Sequence, residues 1–299
     1  MTKIFQFIVV VAMLSPLVAR AEIAIRTSLL FDGTDQLLEN RDIVVDGDRI
    51  TRITPHGDHF DIDLRGFTVT PGWIDAHSHI AARIDGEGNY PPPNQLGNET
   101  RDEALLAVAV NAWRTLHAGF TTIQSPGDRL DGPIKQAVEN AGFPGPRILT
   151  SLDILQAATA GSQQEVRRYV EQMEAAGADF IKLFADSHGE LSKEQLAAAC
   201  DEARKRGMRV LVHAWGIEAA RRAVAGRCTT IEHGTELDAS ILSEMTKHGI
   251  YYSPSLDIPV HYARRTAELP DPAVYTASDR TKMPQEYLDY VATFRQALA

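Results

Sequence analysis

The sequence predicts an α/β fold in which repeated strand–helix units follow a small N-terminal β layer. One observation is composition, because a chain of 299 residues that is 44% hydrophobic can bury a substantial core. A second is the segment 22–70, where short alternating apolar runs are separated by turn signals such as Asp46-Gly47. A third is the change at Pro71, after which β-rich runs alternate with stretches of helical period.

Residues 1–21 have the pattern of a secretory signal peptide. Lys3 precedes an apolar run over 4–18, and Ala19-Arg20-Ala21 has the small residues of a cleavage site. An uncleaved membrane anchor is the alternative, although this run is shorter than the roughly 20 residues that a spanning helix needs. We therefore expect a secreted or periplasmic protein that begins at Glu22 and keeps no membrane anchor.

The elements that follow are predicted from runs of apolar residues and their period. The small β domain, 22–70, contains strands predicted at 23–30, 42–46, 49–53 and 67–69. The second domain, 71–299, contains seven predicted strands, at 73–79, 121–124, 147–151, 179–184, 209–213, 229–233 and 250–253. Between them lie helices predicted at 101–117, 134–140, 162–176, 192–206, 217–225 and 238–248, several of which open on a capping residue and close on Gly, and a last helical pattern spans 284–299.

This order of elements fits two architectures, an open doubly wound sheet and a (β/α)8 barrel of the TIM type. Candidate ligand residues lie at the carboxyl ends of several different strands, which distinguishes the two. An open sheet concentrates its chemistry at one switch point, whereas a barrel brings the ends of distant strands around one mouth. The barrel is favoured, and with only seven strands found it is predicted to lack its eighth.

Charge and cysteine content restrict the partners. The chain carries 30 Lys+Arg against 40 Asp+Glu, a net charge of −10, and no basic cluster, so nucleic acid is excluded as a partner. Cys200 and Cys228 could pair in an oxidising compartment, but nothing in their spacing fixes their distance, and two buried free thiols are favoured. They are too few for a cysteine zinc site.

His77 and His79 end the first strand of the second domain, in the segment 71–79 (PGWIDAHSH). On a strand, residues two apart point to the same face, so the two imidazoles could grip one metal ion. By itself this spacing is a weak motif, since chance pairs with structural roles are equally common. Its place at the end of an apolar strand makes it more specific.

Lys182 lies inside the otherwise apolar run 179–184 (DFIKLF). An ammonium group that points into a barrel is costly to bury unless it is paired or chemically changed. One solution is an ordinary ion pair. The other is reaction of the neutral amine with carbon dioxide, which gives a carbamate whose two oxygens can bridge two cations, and the sequence leaves both open.

Three further histidines follow predicted strands. His213 and His233 each end an apolar run, and either one alone is more often a hydrogen-bonded core residue than a ligand. With His77, His79 and Lys182 they form a set of five that converges on one rim. His188 follows the fourth strand of the second domain and is either a substrate contact or a solvated loop residue.

These segments resemble the amidohydrolase superfamily, in the branch of imidazolonepropionase-like enzymes and carboxylated-lysine dipeptidases. The resemblance covers almost the whole chain after residue 21. The matching segments are 30–34 (LFDGT), 71–79 (PGWIDAHSH), 119–122 (GFTT), 177–182 (GADFIK), 213–214 (HA) and 231–234 (IEHG).

The resemblance implies a binuclear metal centre, with zinc as the expected ion. His77 and His79 would bind the first ion, His213 and His233 the second, and a carboxylated Lys182 would bridge them. Such a pair of ions can share a hydroxide that attacks a carbonyl carbon, after which the amine leaves. The implied substrate is therefore a small amide, a dipeptide or an N-acyl compound.

One part of the family pattern is missing. The family carries a catalytic aspartate in a Gly-Thr-Asp setting at the end of the eighth strand, but the only such segment here is 33–35, in the β layer. We expect the eighth strand and this aspartate to lie beyond Ala299, so that the chain is C-terminally truncated and impaired as an enzyme. The catalytic acid–base residue is therefore left unassigned.

Three functions follow from these observations. The first is hydrolysis of a carbon–nitrogen bond by a metal-dependent enzyme. The second is hydrolysis of a lactone or another ester by the same hydroxide. The third is a non-catalytic remnant that keeps a metal-binding or ligand-binding pocket, which the missing strand motivates.

Overall fold

The structure is a computed structural model that describes residues 22–34, 36–83, 99–185, 191–234, 236–256 and 285–298. The chain divides into two compact units, Met1–Pro71 and Gly72–Ala299. Within the described ranges, no helix is long and apolar enough to cross a membrane. The proposed signal peptide and His188 lie outside the described residues.

The first unit is a sheet built around its first strand. Its strands are β1 (Ile23–Phe31), β2 (Leu37–Asp46), β3 (Arg49–Pro55), β4 (Ile62–Asp63) and β5 (Thr68–Val69). β1, β2 and β3 run antiparallel in that order, while β4 and β5 both pair in parallel with β1. The predicted layer is present, although the sequence pattern began β2 too late and missed β4.

A buried ion pair fastens β1 to β2. The Arg26 guanidinium donates two hydrogen bonds of 2.8 Å to the Asp42 carboxylate. Asp42 also accepts a bond of 2.8 Å from the Gly57 backbone, and Arg26 lies 4.3 Å above the Phe60 ring. The hydrogen bonds from Arg26 lower the pKa of Asp42 to about 2, against the opposing effect of burial. The carboxylate is therefore ionised at any ordinary pH.

The second unit is a series of parallel strands. They are β6 (Trp73–Asp75), β7 (Phe120–Ser125), β8 (Arg147–Thr150), β9 (Ile154–Leu155), β10 (Phe180–Ala185), β11 (Arg209–Ala214), β12 (Thr230–His233) and β13 (Tyr251–Ser253). β6, β7 and β8 form one sheet, and β9 to β13 form another in chain order. The Asp179 amide donates to the Thr150 carbonyl at 2.8 Å, which joins the start of β10 to β8.

The helices alternate with these strands. They are α1 (Arg101–His117), α2 (Asp131–Glu139), α3 (Ala157–Ala160), α4 (Gln163–Ala175), α5 (Lys193–Lys205), α6 (Ile217–Ala225), α7 (Ala239–His248) and α8 (Gln285–Leu298). Thr100, Ser162 and Ser192 each close a capping box at the start of α1, α4 and α5. Gly249 follows α7 with φ +63°, a left-handed position that glycine adopts without strain.

Strands that neighbour each other in sequence also neighbour each other in space, as in a barrel. The seven predicted strands are all present, and the sequence missed only the two-residue β9 and the short α3. Among the described residues, no ladder joins β13 to β6, so these residues do not show a closed barrel. Trp73 and Ile74 on β6 and Tyr251 on β13 are exposed large apolar residues on the two outermost strands.

The two cysteines correct a prediction from sequence. Cys200 on α5 and Cys228 ahead of β12 are joined by a disulfide, with their Cα atoms 5.1 Å apart, so the expectation of free thiols is wrong. The reason is that α5 packs beside α6, and the turn that follows α6 brings Cys228 back to α5. The distance is set by tertiary packing, which residue spacing does not reveal.

Candidate metal centre

A short loop after β6 presents His77 and His79. The Asp75 carboxylate accepts the His77 backbone N–H at 3.0 Å and turns the chain out of the strand. Gln124 on β7 holds the loop from the other side, because its carbonyl accepts the Ser78 N–H at 2.9 Å. The prediction that both histidines lie on the strand is therefore wrong, since β6 ends at Asp75. The loop nevertheless brings their Nε2 atoms within 3.3 Å of each other.

Lys182 is buried in the middle of β10. Its side chain reaches the loop after β6, where Nζ lies 3.4 Å from His77 Nε2. Only 2% of the residue is exposed, and burial lowers the pKa of the ammonium group to about 8, although the nearby Glu232 charge favours the protonated form. The neutral amine, which is the form that reacts with carbon dioxide, is therefore accessible near neutral pH.

Glu232 and His233 end β12 and face the same cluster. Glu232 is 1% exposed, and its Oε2 lies 2.6 Å from His77 Nδ1. His233 has φ +66°, which interrupts the strict alternation of a strand and accounts for two successive side chains meeting one site. Its ring centroid lies 5.1 Å from that of His77.

His213 is the penultimate residue of β11 and lies among aromatic rings. Its imidazole stacks on Phe184 with the centroids 3.9 Å apart and meets the His233 ring edge-on at 4.5 Å. Trp215 lies 6.2 Å from His213 and 5.9 Å from His233 and is 38% exposed. One side of the cluster is therefore lined by aromatic rings, and Trp215 is partly exposed to solvent.

Burial keeps two of the imidazoles neutral. Desolvation, reinforced by repulsion from His77 and Lys182, lowers the pKa of His79 to about 3. The pKa of His233 falls to about 2, again mainly because the ring is buried. Neutral imidazole is the form of histidine that binds metal ions.

The structure thus brings together all five residues that the sequence proposed as ligands. It adds Glu232, which the sequence reasoning quoted only as part of the segment 231–234. The available signal was an acid beside His233 at the end of an apolar strand. Strand alternation would have placed that acid on the opposite face, and the left-handed backbone of His233 was not readable from sequence.

The geometry of this cluster can be compared with the needs of a divalent ion. Two nitrogens bound to one tetrahedral zinc at about 2.0–2.1 Å would lie roughly 3.4 Å apart, close to the 3.3 Å between His77 and His79. The two rings therefore fit one ion. In the described part of the chain, no group of three or more His, Cys, Asp or Glu side chains is placed to hold an ion. A complete ligand set thus requires another group, which a carboxylated Lys182 could supply.

Comparisons with known proteins identify similar sequences and solved structures. A curated imidazolonepropionase from Paenarthrobacter aurescens (strain TC1) is 30% identical over 90 residues, which span 28% of this chain and 21% of the relative. A solved Xaa-Pro dipeptidase with bound methionine is 25% identical, with a TM-score of 0.78 over 93% of this chain and 77% of that one. A putative prolidase from Bifidobacterium longum is also 25% identical, with a TM-score of 0.71 over 93% and 71%.

A more distant structure shows how widely the fold is shared. The ochratoxinase of A. niger is 18% identical, yet its TM-score is 0.75 over 93% of this chain and 73% of that one. The chain therefore has the parallel α/β fold of amidohydrolase barrels. The model of the amidohydrolase family matches residues 68–289. This match confirms the resemblance drawn from the motifs, and the chain belongs to the amidohydrolase family.

Proposed function

We propose that the protein is a metal-dependent hydrolase that cleaves a carbon–nitrogen bond in a small amide or dipeptide. The observation that carries this proposal is the meeting of three nitrogens, with His77 Nε2 3.3 Å from His79 Nε2 and 3.4 Å from Lys182 Nζ. Membership of the amidohydrolase family supports it, as does the similarity to a Xaa-Pro dipeptidase.

Five residues would hold the ions. His77 and His79 would bind one zinc ion, and His213 and His233 a second, with Lys182 between the two pairs. When bound, divalent ions supply Lewis-acid polarisation of a substrate carbonyl and lower the pKa of a coordinated water. Burial holds the His79 and His233 imidazoles neutral, and Phe184 covers one side of the His213 ring.

Lys182 would join the site as a carbamate. Its neutral Nζ would attack the carbon of carbon dioxide; a nitrogen–carbon bond forms while one carbon–oxygen π bond breaks with its electron pair going to oxygen, and one proton leaves the nitrogen for solvent. The product carries one negative charge and two oxygens in place of a buried cation. Burial favours the neutral amine that this step requires, and bound cations would offset the charge of the carbamate.

The test is hydrolysis of a panel of dipeptides and N-acyl amino acids by the purified chain after loading with zinc and bicarbonate. We expect slow release of free amine, because no acid–base residue is assigned in this chain, and the release should stop when a chelator is added. A double variant, His77→Ala with His79→Ala, should lose both the activity and part of the bound zinc. Turnover of lactones or esters alone would reassign the bond, and zinc binding without any turnover would favour a non-catalytic remnant.

A further inference from the structure

A carboxylate contacts the His77 imidazole at Nδ1, the ring nitrogen that does not face His79 and Lys182. Glu232 Oε2 lies 2.6 Å from His77 Nδ1, and this contact joins residues 155 positions apart. An ionised carboxylate can only accept hydrogen bonds, so the proton in this contact belongs to Nδ1. In a neutral ring the other nitrogen, Nε2, then presents its lone pair, and this is the atom that faces His79 and Lys182.

The carboxylate is rigidly placed. Glu232 lies on an inner strand, where β12 pairs with β11 and β13, and it is in register with His213 and Ser253. Only 1% of the residue is exposed. Its position is therefore set by two neighbouring strands, and the carboxylate can fix the orientation of a loop residue such as His77.

The second oxygen of the Glu232 carboxylate is a reason to expect a cation nearby. Glu232 Oε1 is buried and has no hydrogen-bond partner among the residues that the structure describes. A buried carboxylate with one neutral partner is costly, and a nearby positive charge offsets that cost. Glu232 is thus suited to hydrogen-bond to His77 while that histidine binds an ion.

We propose that Glu232 is the positioning residue of the candidate metal centre. Its carboxylate keeps the proton of His77 on Nδ1 and aims the Nε2 lone pair at the ion. The inference rests on the proposed function for the presence of an ion, but it requires no turnover. Partners of this kind orient metal-binding histidines and raise their basicity, and their loss typically weakens metal binding by about 10- to 100-fold.

The experiment compares zinc affinity in the metal-free parent, Glu232→Gln and Glu232→Asp, by competition with a chromogenic chelator. We expect Glu232→Gln to bind zinc about 10- to 100-fold more weakly, and Glu232→Asp to fall between it and the parent. Glu202→Gln is the matched control, because Glu202 on α5 is a buried acid that pairs with Arg206, just after that helix, instead. Its zinc affinity should stay within about twofold of the parent.

A second measurement determines directly which ring nitrogen of His77 carries the proton. Nitrogen-15 spectra of histidine-labelled, metal-free protein should show the His77 proton on Nδ1 in the parent, and a shifted tautomer balance in Glu232→Gln. Circular dichroism checks that each variant folds. If Glu232→Gln does not fold, Glu232→Asp is used for both measurements in its place. The inference is overturned by a His77 proton on Nε2 in the parent, by a parent that binds no zinc, or by unchanged affinity in Glu232→Gln. A parent whose zinc binding depends on Glu232 but which hydrolyses nothing would contradict the proposed function alone.

Discussion

Lys182 has two ways to avoid an unpaired charge in the core of the sheet, and its surroundings distinguish them. An ordinary ion pair would need a carboxylate within contact distance; among the described residues, Lys182 Nζ contacts His77 Nε2, while the Glu232 carboxylate is bonded to His77. Burial meanwhile favours the neutral amine. Because the neutral amine is the form that reacts with carbon dioxide, we propose the carbamate as the state of Lys182 in the loaded site.

A carbamate on Lys182 can be observed without enzyme activity. We expect protein equilibrated with zinc and carbon-13 bicarbonate to show one carbamate carbon signal by NMR. Lys182→Ala should lack that signal and bind less zinc, and short carboxylic acids should restore part of the binding. Lys182→Arg is the matched charged variant, since a guanidinium neither carboxylates nor binds zinc. Full metal occupancy in Lys182→Arg would contradict the bridge.

Asp131 predicts a separate pH effect on stability. Burial raises the pKa of Asp131 to about 6, even though Thr150 Oγ1 donates a hydrogen bond of 2.9 Å to it. The folded state thus binds this proton more tightly than the unfolded chain, so the stabilisation is complete below about pH 4 and is lost as the pH rises through about 6.

Asp131→Asn should remove this dependence. Urea unfolding of metal-free protein between pH 4 and 7 should show the parent losing up to about 3 kcal/mol relative to Asp131→Asn as the pH rises. If the free energies of unfolding of the two proteins change with pH in parallel across this range, Asp131 does not titrate there.

At the scale of elements, the sequence was most informative where local signals repeat. Capping boxes at Thr100, Ser162 and Ser192 fix helix starts within a residue or two of the prediction. β9 and the turn at His233 were missed because two-residue strands and left-handed backbone depend on packing, which no local pattern encodes. For the candidate site, the structure brings the five proposed ligand residues together, and the sequence analysis did not propose Glu232.

The loop between β7 and α2 depends on a glycine that packs against β9. Gly127 has φ +110°, and a Cβ built there would lie 2.1 Å from Ile154 Cγ1, closer than any real contact. Gly177 also has a positive φ, of +89°, but a Cβ there would meet nothing within 4 Å. Substitutions at these two glycines therefore distinguish the cost of steric overlap from the cost of backbone strain.

We expect Gly177→Ala to cost about 1 kcal/mol of stability from strain alone. Gly127→Ala should cost at least about 2 kcal/mol more, because Ile154 must move. Chemical denaturation of both variants measures the difference. Equal losses would mean that the loop relaxes freely around residue 127.

The disulfide is a second feature at this scale, because it ties α5 to the chain ahead of β12. Cys200 and Cys228 are 28 positions apart, and closing a loop of this size lowers the entropy of the unfolded chain. Replacing both cysteines with Ser should lower the free energy of unfolding by about 3–4 kcal/mol. Thermal unfolding should show the same loss when a strong reductant is added to the parent, and no change in the double variant. A parent that titrates two thiols under denaturing, non-reducing conditions would contradict the bond.

For the whole molecule, the sequence predicted the order of the parallel strands and the point, near residue 71, at which alternating strands and helices begin. Its limit was long-range geometry, such as the distance between Cys200 and Cys228. Export is the prediction that belongs to this scale. We propose that residues 1–21 are removed as a signal peptide, and the disulfide supports this because such bonds persist in oxidising compartments.

Export is checked by mass spectrometry of protein from the cell envelope of the host. The N-terminal peptide should begin at Glu22. Changing Ala19 and Ala21 to bulky residues should leave the precursor uncut, because the cleavage site needs small side chains. An envelope protein that retains residues 1–21 would point to the membrane anchor instead.

The contact between His77 and Glu232 also has a consequence for the order of folding. It closes a loop of 155 residues, and contacts of such separation form late because their loop entropy must be overcome first. The pairs β10–β11 and β11–β12 are far more local and can assemble earlier. Binding of a metal ion should therefore report the completion of folding, and a chain that crosses a membrane unfolded would acquire its ions only on the far side.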